Sequence, residues 1–192
     1  MQQQTSASRV FILVTIILMA AVIRILLGYI GHSHFIFSLT PLGAMFIFGS
    51  AYFKGWIKPF LFPFLALFIS DVILCFTIYS SFREGLLYSG WYWTYSAFFL
   101  MALTGKLIIK EVRVKNILLA VISAVIVHWL ASNAGPCIES SDQHNFFSLY
   151  GNRLISAVSS EIRLLIGTLL YAVLMFGGFE LSKGRYKQVL FR

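Results

Sequence analysis

The sequence predicts an all-α membrane protein, a single domain of six transmembrane helices over residues 1–192 with both termini cytoplasmic. Three observations carry this. Apolar stretches of membrane-spanning length recur six times. The chain is 59% hydrophobic and only 11% charged, whereas a soluble domain is roughly half apolar and a quarter charged. The basic residues, finally, sort onto alternate connections.

A spanning helix needs about 20 mainly apolar residues. Val10–Ile30 is the first stretch. Arg9 and the run after it imitate a signal peptide, but no small-x-small cleavage site follows. Apolar sequence resumes beyond Arg24, so the helix is expected to be retained. The second, Phe35–Phe53, is interrupted by Pro41 and carries Gly43, Ala44, Gly49, Ser50 and Ala51. Small residues let helices approach closely, and proline removes a backbone donor. The Gly and Ala positions are read as packing, and Pro41 as a kink in a helix that lines a cavity or changes shape. Pro59–Tyr79 is the third stretch. Trp91–Ile109 is the fourth and opens with Trp91, Tyr92 and Trp93, as an interfacial aromatic belt does. Ile117–Ala134 and Leu154–Phe179 complete the set. Connections are short except Ser80–Gly90 and Gly135–Arg153. Six long apolar runs are not the pattern of a barrel, and an open sheet cannot cross lipid.

Of the fifteen Lys and Arg, eleven fall on one set of connections. These are Arg9; Lys54 and Lys58; Lys106, Lys110, Arg113 and Lys115; and Lys183, Arg185, Lys187 and Arg192. The other connections hold only Arg83 and Arg153. The positive-inside rule therefore places both termini in the cytoplasm. It also explains the net charge of +8 without a nucleic-acid partner, because the basic residues flank apolar stretches. The expected surroundings are the lipid bilayer. Cys75 and Cys137 form no C-x-x-C and no disulfide framework. A P-loop and a G-x-S-x-G nucleophile motif are both lacking, so the chain does not itself hydrolyse ATP.

At about 1.5 Å per helical residue, the ionisable residues inside the stretches fall in the half facing outward. Arg24, Asp71, His128, Glu161 and Arg163 reach that level from four helices, with Cys75 and Asn133 nearby. A charge there costs about 2.5–3.5 kcal/mol on insertion scales and faces protein or water. Their convergence points to a polar cavity open to the exterior. Internal pairing is the companion expectation: Asp71 with Arg24 or Arg163, and Glu161 with the remaining arginine. Glu161 and Arg163 are two apart and do not face each other. Cys75 follows Asp71 by one helical turn and shares its face. A thiolate there would suit a transition metal, although a buried cysteine also serves as an apolar filler. His32 and His34 lie in an outward turn and could cap the cavity. His128 reads as a helix–helix contact.

The run Leu39-Thr-Pro-Leu-Gly-Ala-Met-Phe-Ile-Phe-Gly-Ser-Ala-Tyr-Phe53 resembles a signature of small bacterial transport proteins related to the substrate-binding S-components of energy-coupling-factor vitamin transporters. Ile69-Ser-Asp-Val-Ile-Leu74, Ala131-Ser-Asn-Ala-Gly135 and Ile166-Gly-Thr-Leu-Leu-Tyr-Ala-Val-Leu-Met-Phe-Gly177 extend the similarity. Arg24 before the turn holding His32 and His34 completes it. The nearest characterised type is a solitary transporter of cobalamin. The resemblance implies a bacterial inner-membrane protein without intrinsic cofactor, taking up a small organic nutrient, with cobalamin the best single substrate. Its site would comprise Arg24, His32, His34, Asp71, Cys75, Asn133 and Glu161, with Cys75 the candidate ligand of the substrate's cobalt. The sequence departs from the pattern in its Gly-His-Ser-His turn and in Thr168, where Asp is commoner. It also lacks the A-x-x-x-A face of helix one that docks on a shared ATPase module, since Arg24 and Ile25 follow Ala20 and Ala21. No such module is expected as a partner. Two other readings stay open: a membrane thiol enzyme centred on Cys75, for example removing the upper ligand of cobalamin, and a non-transporting assembly subunit.

Overall fold

The computed structural model describes residues 2–30, 39–140 and 145–190, with side chains from 9 to 182 within them. It is mostly helical. Helix α1 spans Gln2–Ile30, α2 Leu42–Tyr52, α3 Lys58–Phe76, α4 Trp91–Ile108, α5 Val114–Ile138 and α6 Phe146–Leu190. Between α3 and α4 lie one 3-10 turn, Ser80–Phe82, and a small antiparallel hairpin of β1 (Arg83–Glu84) and β2 (Leu87–Tyr88). Gly85, at φ +74°, lies in the two-residue turn that joins the strands. Four segments are long and apolar enough to cross a membrane: Arg9–Ile30, Lys58–Phe76, Val114–Ile138 and Phe146–Ser182. α4 falls short of that hydropathy because it opens with Trp-Tyr-Trp-Thr-Tyr-Ser. Large apolar side chains such as Leu18, Leu65, Ile122 and Leu174 stand exposed, as lipid-facing positions do.

α2 differs from its neighbours. Its eleven residues make a rod of about 16 Å, against a hydrocarbon core of about 30 Å. Ten of those residues are buried, and it packs against all five other helices. Phe46 stacks on Phe98 of α4 and meets Phe64 of α3 edge-on, with ring centres 5.1 and 4.9 Å apart. Phe48 and Tyr52 interlock with Phe176 and Phe179 of α6. The sequence placed Pro41 as a kink inside a helix from residue 35. It instead occupies the N-cap of α2, where its carbonyl accepts from Met45 N at 3.0 Å. The missing N–H costs nothing at a helix start, where it would have no intrahelical partner.

The small residues serve close approach. Pro63 cannot donate to the Pro59 carbonyl one turn back, and that carbonyl lies against Gly49, where a Cβ would be 3.0 Å from it. A Cβ on Gly167 of α6 would stand 2.8 Å from the carbonyl oxygen of Thr40, in the non-helical stretch before α2. At the other end of α2, Lys106 Nζ donates to the Gly55 and Phe53 carbonyls at 2.8 and 3.4 Å. Around α2 the remaining helices form two groups. α1 packs on α3, and α4, α5 and α6 pack in succession, whereas α3 with α4 and α1 with α6 touch sparingly. α5 runs on to Ile138 and α6 starts at Phe146, so the connection expected over Gly135–Arg153 shrinks to a short link.

Gly167→Ala should lower stability by about 1–3 kcal/mol, the range for overpacking against atoms that cannot yield. Gly177→Ala, with open space at its Cβ, should be neutral or slightly stabilising. Thermal melts of the two variants in the same detergent compare them directly.

Candidate functional site

The hairpin end of the bundle holds a cavity of about 490 Å³. Its walls are Arg24 of α1; Asp71, Leu74 and Cys75 of α3; and Tyr79, Phe82, Tyr88 and Ser89 of the connection before α4. At its base lies a buried charge pair. Asp71 is 2% exposed, and its Oδ1 accepts from Arg24 Nη2 at 2.5 Å. Arg24 Nη1 donates to Ser70 Oγ at 2.5 Å, and Ser70 in turn donates to the Leu67 carbonyl. The second carboxylate oxygen accepts from Tyr95 Oη of α4 at 3.0 Å. Asp71 is thus satisfied from two neighbouring helices, as an ion held at membrane depth requires. Among the described residues Arg24 places two of its five donors on these partners.

The hairpin roofs this cavity. Cys75 lines the cavity together with Tyr88, and its buried thiol forms no disulfide. Tyr88 lies outside the helices, and burial pushes its phenol up to about 12, helped by the Asp71 charge. Burial raises the Tyr79 phenol as well. The Tyr88 hydroxyl therefore stays protonated at neutral pH and can donate to a ligand. Nearby, Glu139 at the end of α5 accepts from Tyr92 Oη and, at 3.0 Å, from Trp93 Nε1. These hydrogen bonds hold its carboxyl below the ordinary range. Trp93 packs so closely on Gly135 that a Cβ there would fall 2.2 Å from the ring. The roof side of α4 is thus pinned to α5.

The sequence-predicted residues divide. Arg24, Asp71 and Cys75 come together as expected, and Arg24 is the partner that Asp71 takes. Glu161 does not pair with an arginine. Its carboxylate lies 3.2 Å from His128 Nδ1, between α5 and α6, because those two helices present these residues to each other. The Phe98 ring covers that histidine at 4.8 Å. Glu161 does not line the cavity, and Arg163 makes no ion pair among the described residues. Asn133 is also apart: its amide donates to the Trp129 carbonyl one turn back at 2.8 Å, and it contributes nothing to the cavity wall. His32 and His34 lie outside the described residues. Thr168, the departure noted in α6, is fully buried against Gly43 at the start of α2, and its hydroxyl has no hydrogen-bond partner among the described residues. Among the described residues no three His, Cys, Asp or Glu side chains come together.

Tyr95 escaped the sequence reading. It sits in an aromatic-rich helix start, and nothing in its spacing marks it as the partner of a carboxylate one helix away. The roof residues Tyr79, Phe82 and Tyr88 were hidden for a similar reason, being unremarkable within a connection.

Residues 4–189 match a family of unknown function, DUF6580. The chain belongs to that family. No curated protein and no solved structure matches it. The DUF6580 chain offers a neutralised ion pair, a guanidinium, phenol groups, a thiol and aromatic walls around a space of drug-like size.

Asp71→Ala should cost about 3–5 kcal/mol, the range for stranding one half of a buried pair. Replacing both partners, Arg24→Met with Asp71→Leu, should recover much of the loss. A double variant no more stable than Asp71→Ala in chemical denaturation would deny the pair this role. For Glu139 the lowered pKa sets the sign. Its stabilisation is complete above the ordinary carboxylate pKa of 4.5 and fades as pH falls through the lower folded value. Glu139→Gln should abolish that acid-side drop in melting temperature.

Proposed function

We propose that this chain is a membrane transporter, or the substrate-binding subunit of one, for uptake of a small organic nutrient of the vitamin class. The cavity carries this reading. It gathers Arg24, Asp71 and Cys75 under an aromatic roof in a chain whose other surfaces are largely apolar. A neutralised ion pair can orient a polar ligand without demanding a counter-charge from it.

The reading includes six crossings in a bacterial inner membrane with cytoplasmic termini, which puts the hairpin end outside. The biased connections Lys54–Lys58 and Lys106–Lys115 support that orientation. Access alternating between the two sides would use the sparse contact between the α1–α3 group and the α4–α5–α6 group. Arg24 is turned inward to Asp71, and Ala20 and Ala21 are buried, which supports transport without docking of α1 on a shared ATPase module. Cobalamin is the first substrate to test, with Cys75 as the proposed ligand of its cobalt. It is larger than the cavity, so binding it would require the wall formed by Phe82 and Tyr88 to move outward.

Purification from cells supplied with cobalamin should give a red protein whose colour depends on Cys75. A colourless protein stabilised by another vitamin would keep the uptake reading and change the substrate. No colour, and no shift in melting temperature across a vitamin panel, would end the reading.

A further inference from the structure

A second hollow of about 440 Å³ lies beside the first, on the face of α4 next to α3. Aromatic rings line it: Phe64 of α3 with Trp91, Tyr92, Tyr95 and Phe99 of α4. It is more open than the roofed cavity, and Trp91, Tyr92 and Phe99 are exposed there, where lipid would lie. Tyr95 lines this groove and reaches a residue of the cavity wall. Its ring walls the aromatic groove, and its hydroxyl donates to Asp71, which lines the cavity. One side chain therefore stands between the groove and the carboxylate in the wall of a largely apolar cavity.

The seam at Tyr95 is lightly tied. α3 and α4 meet through rings: Phe60 stacks on Phe99 and Phe64 on Tyr95, with centres 5.0 and 5.9 Å apart. Among the described residues the one side-chain hydrogen bond between them is Tyr95 to Asp71. When the Tyr95 hydroxyl leaves, Asp71 still holds Arg24, so the carboxylate is not stranded in an apolar surround.

We propose that this site takes an amphipathic organic molecule, admitted from the bilayer between α3 and α4 with Tyr95 as the gate. This rests on reading the cavity as a ligand site and specifies the class of ligand. The polar end exchanges the headgroup region for the Arg24 guanidinium and the Tyr88 hydroxyl, which line the cavity. The apolar end stays in the aromatic groove and never crosses water. Such a molecule concentrates in the membrane, so it meets the groove far more often than a water-borne one would.

The test reads the route through the native thiol of Cys75 and needs no substrate. The full chain carrying Cys137→Ser, reconstituted in phosphatidylcholine vesicles, is treated with pyrenyl maleimide, which partitions into lipid, or with a sulfonated maleimide, which stays in water. Pyrenyl labelling of Cys75 should outrun sulfonated labelling. Tyr95→Ala should speed the pyrenyl reaction about tenfold, the factor set by losing one hydrogen bond to a charged group. Tyr95→Phe, which keeps the ring and so the fold, should speed it by less, and Phe99→Trp, which fills the groove, should slow it. Equal pyrenyl rates across these variants would overturn the proposal and make the groove a resting place for an acyl chain only. Faster sulfonated than pyrenyl labelling would overturn it too, while leaving intact a ligand site filled from water, which the vitamin panel judges separately.

Discussion

An eleven-residue helix that is buried on every side is the constraint around which the other helices are arranged. α2 is too short to cross a bilayer by itself, and the chain before it, Leu39 to Pro41, is not helical. Backbone in that condition survives at membrane depth only inside protein or beside water. Five helices must therefore enclose it, and the close approaches at Gly49 and Gly167 are where they do. Lipid tails are as apolar as leucine, so no hydrophobic drive brings the helices together. Ring interlocking around Phe46, Phe48 and Tyr52 supplies dispersion in its place.

This enclosure is also what gives the cavity its position. Because α2 fills the middle, α1 and α3 form one side and α4 to α6 the other. Asp71 stands where the two sides meet, held by Arg24 from its own side and by Tyr95 across the seam. The second intramembrane pair, His128 with Glu161, lies wholly within the larger group and ties α5 to α6. The two pairs thus differ in kind. One spans the joint between the groups, and the other stiffens one of them.

How much of this was legible follows from what each residue type reveals. Charged residues in apolar stretches announce themselves, so Arg24 and Asp71 were visible, and helical spacing put Cys75 beside them. The glycines and alanines of α2 were correctly read as packing. Pro41 misled because proline looks the same at a helix start as at a kink, and only the flanking backbone distinguishes them. The polar start of α6 and the end of α5 lack long apolar runs, so their helical turns went unseen. Partner choice was the least legible property. Whether Glu161 meets an arginine or a histidine depends on the rotation of two helices about their axes, and Asn133 spends its amide on its own helix. Tyr95 carried no signal, because an aromatic side chain near a helix start is expected to face the interface.

The pairing of Arg24 with Asp71 also fixes an order of events during synthesis. The two residues are 47 positions apart, so α1 is made before its counter-ion. Until α3 arrives, the guanidinium must reach up toward the headgroups along its own apolar stem. α1 therefore settles to its final depth only in company with α3. The loop between them and α2 have to be accommodated in the same step. The pair thus couples the position of α1 to that of α3, and Tyr95 joins α4 to the same point.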